Sequence, residues 1–145
     1  MNKQIKTYRQ VDTVGKSQID LIVQVYSGAI QALGAGRDCY TAGDLNAGYE
    51  QIEKARKFIT HLYTTLDFEQ GGEIAQDLGK LYVFLSGELD VIEATKDVAK
   101  IDASLRIIDN LRQGWEQLRR EGKAAKAPVG QNTPTNPTES LVISA

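Results

Sequence analysis

Residues able to do covalent or metal chemistry are scarce. The chain has one histidine, His61, and one cysteine, Cys39. Neither has a second imidazole or thiol close by to complete a nucleophile–base pair or a zinc site. No glycine-rich loop has the pattern that cradles phosphate. Asp67, Glu69 and Glu73 gather around one turn, but acids at a helix start usually complement the helix dipole. Arg112 interrupts an apolar arc one turn from Trp115, where snorkelling is the simplest of three options, ahead of cation–π stacking and a buried ion pair. His61 reads as a surface or edge residue. These patterns imply no cofactor, no metal and no enzymatic activity, so any function has to come from non-covalent recognition.

Composition narrows the partners. A hydrophobic fraction of 41%, a charged fraction of 25% and a net charge of -2 describe an ordinary globular chain without the basic field that nucleic acid requires. A single cysteine rules out an intrachain disulfide and suits a reducing compartment. The first residues, MNKQIKTYRQVDTVGKSQ, lack the apolar core of a signal peptide, and no run of about 18 apolar residues offers a membrane span. A cytoplasmic location without membrane insertion follows as the expectation.

The elements that must carry recognition are helical. Pro128, Pro134 and Pro137 are the only prolines, so residues 1–127 are free of helix breakers. Ile19, Leu21, Ile22, Val25, Tyr26, Ala29, Ile30 and Leu33 recur at helical spacing, with Ser17 as expected N-cap and Asp20 completing a capping-box-like pattern. After a break at Thr41–Asp44, Leu45, Tyr49, Ile52, Ala55, Ile59, Leu62, Tyr63 and Leu66 mark a second helix. Gly71 and Gly72 permit a turn before Glu73 opens a third, whose Ala75, Leu78, Tyr82, Leu85, Leu89 and Ile92 alternate steps of three and four. Asp97 is the expected N-cap of a fourth, which Gly122 ends. The fold class is therefore all-α: an antiparallel up-down four-helix bundle over residues 17–122, with an N-terminal cap segment at 1–16 and a polar tail at 123–145 expected to be disordered. The apolar cluster Leu141, Val142 and Ile143 near its end has no assigned role.

The first helix carries more apolar surface than one contact stripe needs. At about 100° per residue, its apolar positions span an arc of roughly 200°. Phe84 and Val91 likewise stand off the seam of the third helix. Either such a helix touches two neighbours, or the surplus lines a groove for an amphipathic or extended partner. Of the glycines inside the helical patterns, Gly28 is expected to serve a close helix approach.

Three stretches, taken together, resemble a known family. Leu66-Asp67-Phe68-Glu69-Gln70-Gly71-Gly72-Glu73-Ile74-Ala75, followed by Leu78 and Leu81-Tyr82, is similar to the central signature of the flagellin-specific flagellar secretion chaperones, FliS. Ile5-Lys6-Thr7-Tyr8-Arg9-Gln10-Val11 resembles the family's N-terminal Tyr and Val motif, and Tyr26-Ser27-Gly28-Ala29-Ile30 its helix 1 motif. Lys54-Ala55, Ile59 and Leu111-Arg112 to Trp115 extend the likeness over about residues 4 to 120. The chain departs from the family pattern at Val14-Gly15-Lys16-Ser17, Ser27 and Ser86-Gly87. The resemblance implies a cytosolic bundle that binds the disordered C-terminal region of flagellin, prevents its premature polymerisation and helps deliver it to an export gate protein. It implies a monomer or weak homodimer. The residues expected to meet the partner are Ile5, Tyr8, Val11, Leu21, Ile22, Val25, Tyr26, Ile30, Leu81, Tyr82, Phe84 and Val91. Ile5, Tyr8 and Val11 are expected to cover the groove in the free protein, and Tyr26→Ala and Phe84→Asp to weaken capture without unfolding. The competing reading is a helical adaptor or regulator that docks to a folded protein.

Overall fold

The computed structural model describes residues 18–122, so the expected roles of Ser17, the 1–16 cap and the 123–145 tail lie outside the described residues. Four helices follow in order: α1 (Gln18–Thr41), α2 (Leu45–Thr64), α3 (Phe68–Thr95) and α4 (Val98–Glu121). Aspartates start three of them. Asp44 accepts from the Ala47 backbone N–H, Asp67 from Glu69 and Gln70, and Asp97 from Ala99, each satisfying donors that a helix start leaves unpaired. Gly122 ends α4 at φ 72°, a left-handed cap that glycine adopts without a Cβ penalty. Lys96 ends α3 in the same region at φ 59°, where a side chain is strained.

Connections of two or three residues force each helix to run against its predecessor. α1 packs against α2 and α4, and α3 against the same two, which closes the bundle. Ion pairs join α4 to α1 near both ends: Arg119 meets Asp20 at 2.9 Å, and Arg37 meets Asp102 at 3.1 Å. The wide apolar arc of α1 thus serves two neighbours and the bundle centre together. Its expected surplus is largely core: Ile19, Ile22, Val23, Tyr26, Ala29, Ala32 and Leu33 are all buried.

The α1–α2 contact is close because glycine alternates with bulk across it. A Cβ on Gly28 would lie 2.6 Å from the Phe58 ring, one on Gly36 2.8 Å from Ile52, and one on Gly48 2.4 Å from the Tyr40 ring. The expected role of Gly28 in a tight approach agrees with this geometry. α3 begins five residues earlier than Glu73, because Asp67 caps a first turn. The helix then breaks at Gly72, where φ 53° and ψ -130° are open to glycine and strained for other residues.

Candidate functional site: an apolar face on α2 and α3

Three residues expected at a partner surface are core residues instead. Ile22, Tyr26 and Tyr82 are buried, and their periodicity, shared by core and surface stripes alike, could not separate the two. Tyr26 and Tyr82 share a hydroxyl–hydroxyl hydrogen bond, and the Trp115 Nε1–H donates to Tyr26 Oη at 3.1 Å. This network ties α1, α3 and α4 across the bundle centre. Burial pushes the Tyr26 phenol up to about 12 and raises Tyr82 well above its ordinary value, so both hydroxyls stay neutral and able to hydrogen-bond. A Tyr26→Ala chain would therefore lose core, contrary to the expectation that it spares the fold.

Val25, Ile30 and Leu81 are half-buried and packed on the core, and Leu21 is half-buried on α1. Ile5, Tyr8 and Val11 lie outside the described residues. Phe84 and Val91 are exposed, at 52% and 37%. They point outward from α3, with Gly87 between them opening onto free space.

Sequence reasoning missed five more apolar side chains. Among the described residues the large exposed hydrophobics are Leu45, Tyr49, Tyr63, Phe68, Val83, Phe84 and Val91. All stand on α2 or α3. Tyr63 and Phe68 stack edge to face at 6.2 Å, and Phe68 lies over Gly79. Leu45, Tyr49 and Tyr63 keep the α2 period and so read as core. The available signal was their position on the rim of that period, toward Arg56.

Charge lies between these apolar groups. Arg56 of α2 pairs with Glu53 at 3.0 Å, with Asp90 at 2.8 Å and with Glu93 at 3.1 Å. Desolvation, aided by Glu53, raises the Glu93 carboxyl to about 7, while hydrogen bonding to Glu93 and to Arg56 holds Glu53 below the usual range. The Glu93 Oε2 atom is buried and has no hydrogen-bond partner, which agrees with a carboxyl that burial disfavours in its charged form. Arg112 is half-buried, and its guanidinium pairs with Asp109 at 2.8 Å and Glu116 at 3.4 Å on its own helix. His61 is exposed. No group of three or more His, Cys, Asp or Glu among the described residues could hold a metal ion. No described helix is long and apolar enough to cross a membrane.

Comparison with known proteins assigns the family. The family model described as "Flagellar protein FliS" matches residues 1–122, the whole bundle included. The chain belongs to the FliS family. Among FliS relatives, the flagellar secretion chaperone FliS of Salmonella typhimurium is 32% identical over 119 residues, covering 79% of this chain and 88% of that protein. The FliS of Vibrio cholerae is 26% identical, covering 81% of this chain and 90% of its own length. The FliSB of Pseudomonas aeruginosa is also 26% identical, covering 80% and 95%. The resemblance read from the sequence motifs is thus confirmed over the four helices. Membership fixes the kind of protein, and the exposed apolar side chains of α2 and α3 belong to this FliS chain's own geometry.

Proposed function

We propose that this chain is a cytoplasmic, non-enzymatic flagellar export chaperone that binds the disordered C-terminal region of flagellin, prevents its premature polymerisation and assists its delivery to the export gate. The observation that carries this reading is the exposed apolar face of α2 and α3 on a bundle of the FliS family. An unfolded apolar segment gains from such a face by folding against it, and loses its ordering entropy only on binding. The bundle acts as a monomer or weak homodimer, without cofactor, metal or nucleic acid. In this reading Phe84 and Val91, exposed on α3, meet the partner directly, and the half-buried Leu21, Val25, Ile30 and Leu81 contribute their exposed edges.

Calorimetry with the flagellin C-terminal region of the parent bacterium tests this. Phe84→Asp is expected to weaken binding by about tenfold or more, as loss of an apolar anchor does, with the melting temperature nearly unchanged. Binding should bring a gain of helical circular dichroism and a negative heat-capacity change. Unchanged affinity would remove Phe84 from the site. Binding without any gain of helicity would favour the adaptor reading, in which the partner is already folded.

A further inference from the structure

Arg119 meets Asp20 and Arg37 meets Asp102, so α4 ends beside the start of α1. Short connections bring the end of α2 and the start of α3 to that same end of the bundle. An apolar patch lies there. Tyr63 in the last turn of α2 and Phe68 in the first turn of α3 stack at 6.2 Å, yet remain 40% and 43% exposed. Phe68 and Leu66 lie over Gly79, and Val83, one turn further along α3, is exposed.

The chain itself supplies a segment of matching chemistry. The family match stops at Gly122, and beyond it the largest apolar cluster is Leu141-Val142-Ile143, which membership leaves unexplained. Lys100 pairs with Glu88 at 3.3 Å, which sets the register of α4 on α3. At 1.5 Å per residue, Gly122 then stands about 20 Å along the bundle axis from Gly79. With one or two helix spacings of about 8–10 Å to cross as well, the route to the patch is about 30 Å. Residues 123–141 span up to about 60 Å, so the cluster reaches the patch with slack. The route passes Glu69 and Glu73, both exposed, and the tail opens with the opposite charges of Lys123 and Lys126. A tethered segment within reach meets its site at about millimolar effective concentration, so a contact of only about millimolar affinity is half occupied. A second copy of the chain would need that concentration in solution.

We propose that Leu141, Val142 and Ile143 fold back onto the patch of Tyr63 and Phe68 and cover it in the free chain. The tail is then an intramolecular occupant, held by apolar contact and led past the acidic start of α3 by its two lysines. Any other ligand of the patch has to displace it, which lowers that ligand's apparent affinity. The masking needs no export substrate, so it stands or falls separately from the flagellin-chaperone reading.

The test is paramagnetic NMR of the full chain, with a nitroxide attached at Ser144→Cys in a Cys39→Ser background. Amides of residues 62–69 and 78–83 are expected to lose about half of their signal or more relative to the reduced label, in line with the occupancy that tethering gives. Amides around Gly43, at the far end of the bundle, should keep theirs. Leu141→Asp combined with Ile143→Asp should abolish the loss without touching the bundle. Tyr63→Asp should abolish it from the other side, with thermal melts showing that the helices remain folded. A loss that survives the two tail substitutions, a strongest loss around Val91 instead of Phe68, or no site-specific loss would overturn the proposal. Isotope-labelled chain without nitroxide, mixed with unlabelled chain that carries it, identifies the source. Unchanged signals support a tail acting within its own chain, and loss passed between copies overturns it.

Discussion

Tyr26 brings a hydroxyl into the bundle centre, where it both accepts from Trp115 and pairs with Tyr82. Removing that oxygen leaves two buried polar groups unpaired, so Tyr26→Phe should cost about 1–3 kcal/mol. Urea unfolding should show it as a lower midpoint at constant slope. Glu93 makes a second prediction at this scale. Its carboxyl is raised to about 7 from an ordinary 4.5, so the folded chain keeps a proton that the unfolded chain has already lost. The resulting stability is complete below pH 4.5, declines as pH rises, and is gone above about 7. Glu53, held low, works in the opposite sense and loses its contribution only in acid. Glu93→Gln, which imitates the protonated form, should therefore raise the melting temperature relative to wild type more at pH 8 than at pH 5. A constant difference across that range would count against the raised carboxyl.

At the scale of elements, α1 and α2 are held together by ring-on-glycine contacts, which the bulk of one added methyl would disturb. Gly48→Ala would place a Cβ 2.4 Å from the buried Tyr40 ring. It should destabilise by about 1–3 kcal/mol, in spite of alanine's better helix propensity. Gly87, by contrast, has open space around it, and Gly87→Ala should stabilise by about 0.5–1 kcal/mol. Chemical denaturation of the two variants gives opposite signs if the contacts are as described. Sequence alone marked Gly28 as a point of close approach, but it did not distinguish Gly48 from Gly87. Both interrupt apolar helices, and only the neighbour across the interface separates them.

On the scale of the molecule, the large exposed hydrophobics among the described residues all stand on α2 and α3, while those of α1 and α4 are buried or half-buried. A chaperone working through one face can be regulated by whatever competes for that face. If Ile5, Tyr8 and Val11 do so, deleting residues 1–12 should leave the helical circular dichroism of the bundle intact and raise affinity for the flagellin C-terminal region, because competition reduces apparent affinity. Lower affinity after the deletion would make the segment part of the grip.

The four-helix architecture was legible in the sequence because its causes are local. Period, aspartate caps at 44, 67 and 97, and the Gly122 stop act over a few residues and need no distant partner. The family was legible too, from the order and spacing of its motifs. Which apolar residues reach a partner was not. Tyr26 and Phe84 both looked like surplus, yet one is sealed beneath Tyr82 and Trp115 and the other stands in solvent. A period places a side chain on a face of its own helix. Whether another helix covers that face is decided by packing between residues far apart in sequence, and only the tertiary structure decides it.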